Sequence, residues 1–269
     1  MSCILKVEKL FSGYKELIIK DVSFEVNAGE VICLIGANGS GKSTLLSSLV
    51  NMNFQNFVCS KNSVWVNDKS ISLMNRNEIA KNISYMIQNE SCVWNFSVYD
   101  FICLGNYFSK NISENKIDEI LSTLNIFELK NKNVNQLSGG EFQKVRIART
   151  IFQNTPVLLF DEPISNLDIN YQYSLLKSIK KIVKEKKSCA IISIHDINLA
   201  SIFADKIFLL KKINECSENE NQLLIGNSEE ILTSKTLSTC FNTKLETFLH
   251  PDYKKIQVYV KGNLNDETK

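Results

Sequence analysis

The feature that most constrains this chain is an unbroken apolar run, Val31-Ile32-Cys33-Leu34-Ile35, that passes directly into Gly36-Ala37-Asn38-Gly39-Ser40-Gly41-Lys42-Ser43 and then into Thr44-Leu45-Leu46. A continuous run of this kind reads as a strand buried on both faces, and the residues after Gly41 read as the first turns of a helix. Gly-x-x-x-x-Gly-Lys-Ser between a strand and a helix is the full phosphate-loop pattern in the setting it requires. Its glycines at 36, 39 and 41 permit close approaches that a Cβ would block, so successive N–H groups can ring a phosphate at the positive end of a helix. Lys42 would add a mobile positive charge near the β- and γ-phosphates and Ser43 a hydroxyl for Mg²⁺; Asn38, Ser40 and Thr44 belong to the same expected binding loop. The expected ligand is a nucleoside triphosphate. A Gly-rich turn before an ordinary helix is the plainer alternative, and the flanking strand and the complete pattern count against it.

The rest of the chain supports one α/β domain around this loop. At 269 residues there is room for a sizeable core with an insertion, and not for two such units in tandem. Strand-like stretches occur at ILKVEKLF and SFEV before the loop, and at SVWVNDKSIS and ISYMI between residues 60 and 87. From about Gln88 to Asn154 the pattern turns helical, including ENKIDEILSTLNIFEL, and is read as a helical insertion. Strands resume at PVLLFDE, at CAIISI after the amphipathic helix YQYSLLKSIKKIVKEKK, and at KIFLLKK; successive βα units favour a parallel sheet. NECSENENQ reads as an exposed turn before QLLIG, EEILTSKTLSTCF as one helix and KKIQVYV as a late strand.

Composition excludes several classes. A formal charge of +2 gives no general attraction to nucleic acid or to an anionic membrane, and nucleic acid is not an expected partner. No signal-peptide pattern opens the chain and no run of 18 apolar residues occurs, so no membrane span is expected. Cys3, Cys33, Cys59, Cys92, Cys103, Cys189, Cys216 and Cys240 form no C-x-x-C pair and are read as small buried hydrophobes in a reducing cytosol, ahead of disulfides or a metal site.

Two further segments carry chemistry. Val157-Leu158-Leu159-Phe160 ends in Asp161-Glu162; as the strand ends, the two acids can take different tasks, Asp161 holding Mg²⁺ through water and Glu162 polarising an attacking water. A solvated strand end with a helix-capping acid is the alternative, weakened by the phosphate loop upstream. Leu137-Ser138-Gly139-Gly140-Glu141 precedes FQKVRIARTI, and a Ser-Gly-Gly turn at a helix N-terminus is another anion cradle, although by itself it is also an ordinary capping sequence.

The order and spacing of these three segments resemble the ATP-binding subunits of ABC transporters, with Glu141 where glutamine is more frequent. The resemblance runs from about residue 4 to 260. It implies a P-loop NTPase (RecA-like) α/β core with an N-terminal antiparallel β subdomain, at about 1–87 and 155–262, and an inserted α-helical subdomain at about 88–154, in a single nucleotide-binding domain spanning 1–269. It implies ATP and Mg²⁺ as cofactors and an ATPase with no catalytic position missing. Tyr14 falls where the family stacks an aromatic on adenine, an ordinary exposed turn tyrosine being the alternative. Gln88 matches the glutamine that senses Mg²⁺ and the attacked phosphate near the transmembrane partner. Ser165-Asn166-Leu167-Asp168 matches the loop that crosses the dimer interface, Asn166 being a departure from the commoner alanine. His195 matches the switch histidine at the γ-phosphate; His250 matches no motif.

By the same resemblance, Ser138, Gly139 and Gly140 of one copy close over the γ-phosphate held by Gly36 to Thr44 of another, giving a homodimer with ATP sandwiched between copies. Transmembrane permease subunits and, indirectly, a substrate-binding protein are implied partners, with the chain peripheral at the cytoplasmic face of the inner membrane. NESCVWNFSVYDFICLGNYF and the C-terminal run resemble importers of iron chelates, haem and vitamin B12, then of zinc or manganese. A soluble ABC ATPase of iron–sulfur-cluster assembly would share the catalytic motifs, and a nonenzymatic nucleotide sensor is a further alternative. DNA-repair or translation types would need a coiled-coil insertion or a second unit, which this chain lacks.

Overall fold

The computed structural model describes residues 2–52, 57–90, 94–106, 113–165, 167–216 and 220–262. Cys92, Asn166, parts of the segment after Gln88 and part of the polar turn near Asn214 lie outside the described residues.

Two sheets and a set of helices share two cores. The antiparallel sheet contains β1 (Cys3–Gly13), β2 (Leu17–Asn27), β4 (Val58–Cys59), β5 (Val64–Val66) and β6 (Lys69–Ser70), in the order β2-β1-β5-β6 with β4 also on β1. The six-stranded sheet contains β3 (Val31–Ile35), β7 (Ile83–Met86), β8 (Val157–Phe160), β9 (Cys189–Ser193), β10 (Lys206–Leu210) and β11 (Leu223–Gly226), in the order β11-β10-β3-β9-β8-β7. Its pairs are parallel except β10 with β11. Every residue of β3, β8 and β9 is buried, as a parallel sheet covered on both faces demands.

Strand alternation sorts these residues between the cores. Ile32, Leu34, Leu159, Ile191, Phe208 and Leu210 face the antiparallel sheet and α1 (Lys42–Leu49), where they meet Leu5, Leu10, Phe24, Leu45 and Leu46. Cys33, Ile35, Leu158, Phe160, Ile192 and Leu209 face the opposite way. Their partners there come from α3 (Val98–Cys103), α4 (Glu114–Thr123), α5 (Gly139–Phe152), α6 (Ile169–Lys186) and α7 (Ile197–Phe203). α3, α4 and α5 fall between β7 and β8 in the chain, within the segment expected to be helical.

Several expectations change in detail. The helix expected over ENKIDEILSTLNIFEL stops at Thr123, because Asn125 takes a left-handed conformation (φ 53°) that terminates helices. EEILTSKTLSTCF is two helices, α8 (Ser228–Ile231) and α9 (Ser234–Phe241), since Thr233 accepts a hydrogen bond from the Thr236 N–H and starts a new helix. α2 (Arg76–Asn82) was not expected; Asn75 and Glu78 form a capping box at its start. A strand at β12 (Leu245–Leu249) pairs antiparallel with the expected late strand β13 (Ile256–Val260). His250 closes the hairpin between them, its Nδ1 accepting from the Asp252 and Tyr253 N–H groups.

The exposed-turn reading of NECSENENQ fails at its last residue. Gln222 is buried, donating to the carbonyls of Ile18 and Lys211 while its Oε1 accepts from the Lys20 N–H, so it staples β2 to β10. The cysteines divide as well: Cys33, Cys189 and Cys240 are buried, Cys59, Cys103 and Cys216 are partly buried, and Cys3 is exposed. Burial pushes the Cys33 thiol up to about 12, as for an inert packing residue.

Phe208 of β10 joins the two sheets, fully buried with its ring edge-to-face on Phe24 of β2 at 4.9 Å. Phe208→Ala is expected to lower the unfolding free energy by about 3–5 kcal/mol in urea titration; a loss below about 1 kcal/mol would mean that this contact does not tie the sheets together.

Candidate active site

Because β3, β7, β8 and β9 are parallel, their carboxyl ends share one edge of the sheet, where open α/β sheets place ligands. β3 delivers residues 36–41, β8 delivers Asp161 and Glu162, β9 leads to His195, and β7 leads to Gln88.

The phosphate loop is held tightly against the core. A Cβ on Gly36 would lie 2.4 Å from the Leu210 carbonyl oxygen, and one on Gly41 (φ 101°) would lie 2.7 Å from Ile18 Cγ2, so neither position tolerates a side chain. Gly41 is the N-cap of α1 and supplies no side chain to its first N–H groups, and no acid sits in that first turn. Ser40 Oγ is buried without a hydrogen-bond partner among the described residues. Lys42 Nζ donates to the carbonyls of Gly36 at 2.9 Å and Ala37 at 3.4 Å. Burial pushes the Lys42 ammonium below its ordinary range, opposed by the nearby charges of Glu162 and Asp161.

One hydroxyl aligns the two acids. Ser193 Oγ donates to Asp161 Oδ1 at 2.6 Å and accepts from the Glu162 N–H at 2.8 Å. Asp161 is buried, and its own N–H donates to the Met86 carbonyl. Glu162 has a left-handed backbone (φ 51°), and its Oε1 lies 2.6 Å from His195 Nε2. Behind them Tyr85 lies with its hydroxyl 3.3 Å from Ser47 Oγ of α1, and burial together with the Asp161 charge pushes the phenol above its ordinary range.

The helix that follows the Ser-Gly-Gly turn is fastened to these strand ends. Gln143 Nε2 of α5 donates to the carbonyls of Glu162 and Pro163, at 3.1 and 3.0 Å. The buried Arg146 donates to Gln143 Oε1 at 2.7 Å, to the carbonyls of Ile87 and Gln88, and through Nε to Glu90 Oε2. Arg149 makes a bidentate pair with Glu90, 2.7 Å on each arm. Burial alone would raise the Glu90 carboxyl; Arg149 and Arg146 hold it below the usual range. A cavity of about 550 Å³ opens among Gln88, Glu90, Phe142, Gln143, Arg146 and Glu162.

The geometry therefore gathers Gly36, Gly39, Ser40, Gly41, Lys42, Asp161, Glu162 and His195 at one edge, with Gln88 on the neighbouring cavity. Ser138 and Glu141 bond only within their own turn and to Lys132 among the described residues, and Asp168 caps α6 by accepting from the Tyr171 N–H. Tyr14 is half-exposed, its ring 5.3 Å from that of Phe57. Ser193, Gln143 and the Arg146–Glu90–Arg149 cluster were missed in the sequence. Ser193 did leave a signal, as a polar residue in an otherwise apolar buried run.

A buried, unpartnered hydroxyl in the loop, a helix start free of acid and two glycine positions that exclude a Cβ fit the phosphates of a nucleoside triphosphate. With the adjoining carboxylates they define a P-loop nucleoside triphosphatase. The ABC transporter family profile matches residues 19–165. A Helicobacter pylori (strain J99) protein named "Probable iron chelatin transport ATP-binding protein" is 33% identical over 95% of this chain and 99% of its own length. The petrobactin import ATP-binding protein of Bacillus subtilis (strain 168) is 29% identical over 85% of this chain and 91% of its own. Among solved structures, one described as "An inward-facing conformation of a putative metal-chelate type ABC transporter" superposes with a TM-score of 0.78 at 25% identity, covering 97% of both chains. The chain belongs to the ABC transporter family, as an ATP-binding subunit that hydrolyses ATP. Among the described residues no helix is long and apolar enough to cross a membrane.

Ser193→Ala removes both bonds that align the acids. It is expected to cost about 1–3 kcal/mol of stability and to slow phosphate release from ATP; an unchanged turnover number would detach Ser193 from the positioning of Glu162.

Proposed function

We propose that this chain powers import of a metal chelate, an iron chelate ahead of zinc or manganese, by binding and hydrolysing ATP between two copies of itself beneath membrane permease subunits. The observation that carries the hydrolytic part is the 2.6 Å contact between Glu162 Oε1 and His195 Nε2 beside the phosphate loop. The cargo is inferred from the iron-chelatin and petrobactin relatives, which align with nearly the whole chain.

In this reading the loop N–H groups, Ser40 and Lys42 hold the phosphates, with Asn38, Ser43 and Thr44 on the same loop, and Tyr14 stacks on adenine. Ser43 and Asp161, with Gln88 nearby, would hold Mg²⁺, which when bound neutralises charge on the β- and γ-phosphate oxygens. Glu162 accepts a hydrogen bond from the attacking water and takes up its proton as the oxygen bonds to the γ-phosphorus and the bond to the bridging β–γ oxygen breaks. His195 fixes the Glu162 carboxylate and reaches the γ-phosphate. Ser138, Gly139 and Gly140 of the second copy close over that phosphate, and Asp168 lies where the copies cross.

The permease subunit would face the segment that follows Gln88; a groove of about 480 Å³ between Val50, Met52, Arg76, Ile79, Tyr85 and Gln153, also lined by Ile87, lies beside that segment. Tyr85 lines this groove and also reaches the hydroxyl of Ser47 on the phosphate-loop helix. The division into a catalytic core with a β subdomain and a helical subdomain at about 88–154 follows from the same reading. The chain would then sit peripherally at the cytoplasmic face of the inner membrane, with a substrate-binding protein delivering cargo to the permease from the other side.

Glu162→Gln is expected to retain ATP, slow phosphate release by about 10²–10⁴-fold and accumulate an ATP-bound dimer in size-exclusion chromatography; normal turnover would remove Glu162 from this role. Lys42→Ala should weaken ATP binding in equilibrium titration, and unchanged affinity would count against the phosphate loop. Copurification with a polytopic membrane protein supports the transport reading, whereas capture of soluble scaffold proteins in its place would overturn it.

A further inference from the structure

The Ser-Gly-Gly turn is closed by its own acid. The Ser138 N–H and Oγ–H both donate to Glu141 Oε2, each at 2.8 Å, and the Glu141 N–H donates back to Ser138 Oγ at 3.3 Å. The single hydroxyl proton of Ser138 is thus committed to a carboxylate. Hydrogen bonds from the Ser138 N–H and then from its hydroxyl hold the Glu141 carboxyl below the usual range, so it is an anion at neutral pH. Lys132 Nζ approaches it no closer than 3.8 Å, from a half-exposed side chain. Lys144, the other base on that side, lies over the Tyr171 ring at 3.3 Å. A full negative charge therefore sits at the positive end of α5, where the arriving phosphate must also sit.

We propose that Glu141 is a latch on this turn: a positioning residue that occupies the Ser138 hydroxyl and the helix start, so that the γ-phosphate carried by a second copy must displace it before the two copies close. This rests on the paired-copy reading given above. Carboxylate and phosphate compete for one donor and one helix end, and while both are present they repel each other. The chain consequently needs more ATP-loaded copies before it pairs, which restrains hydrolysis until both halves are charged. A glutamine in the same place closes the same capping box through its amide oxygen, so it keeps the fold while removing the charge.

The test uses the full chain carrying Glu162→Gln, with and without Glu141→Gln, titrated with ATP and Mg²⁺ while dimer formation is followed by sedimentation velocity. Glu141→Gln is expected to bring the dimer midpoint to about tenfold lower ATP, as for one unit charge near a protein surface, and that gap should narrow as salt screens the repulsion. A helix cap without electrostatic competition would show no such salt dependence. Equal midpoints, or a higher one in Glu141→Gln, overturn the latch while leaving the paired copies intact. If neither protein dimerises at saturating ATP, the paired-copy reading fails and the latch fails with it.

Discussion

A parallel sheet sends the carboxyl ends of its strands to a common edge, and the active site depends on that constraint. Val31–Ile35, Val157–Phe160 and Cys189–Ser193 carry no solvated face and stand side by side only because helices cover one side and an antiparallel sheet the other. Once they are placed, the glycine loop, the Asp161–Glu162 pair and His195 converge with little further instruction. Ser193 adjusts the spacing: its hydroxyl spans neighbouring strand ends and fixes a side-chain oxygen of one acid and the backbone of the next. The chemistry is assembled from elements that would each be unremarkable alone.

The helix after the Ser-Gly-Gly turn is bound to this edge through buried polar groups, which is costly unless every donor finds an acceptor. Gln143 and Arg146 meet that condition. Together they bridge the carbonyls of Ile87, Gln88, Glu162 and Pro163, while the Glu90 carboxylate faces the Arg146 guanidinium and is shared with that of Arg149. These bonds tie the backbone at Gln88 to the backbone of Glu162 and to the helix that presents Ser138.

Much of this was legible in the sequence, for a physical reason. The phosphate loop, the apolar strand ending in two acids and the Ser-Gly-Gly turn are specified by local backbone demands, and local demands leave local patterns. His195 was placed through family likeness, and its pairing with Glu162 became visible only when β8 and β9 lay side by side. Ser193 with Asp161, 32 positions apart, and Arg149 with Glu90, 59 apart, have no spacing rule to betray them. Gln222 was misread as a surface turn because its neighbours are polar, whereas its side chain replaces a missing backbone bond between strands. The Asn75–Glu78 capping box, between two stretches read as strands, and the Thr233 cap, inside a stretch read as one helix, are local and leave patterns in the sequence.

Glu162 stands at the end of β8 with a positive φ of 51°, a conformation that glycine adopts freely and a side chain of this size resists. A glycine at this position would relax the backbone and discard the carboxylate. It would also lose the contact with His195 Nε2. The chain thus keeps, beside its phosphate loop, a backbone conformation that the carboxylate requires and that conformational preference alone would not select.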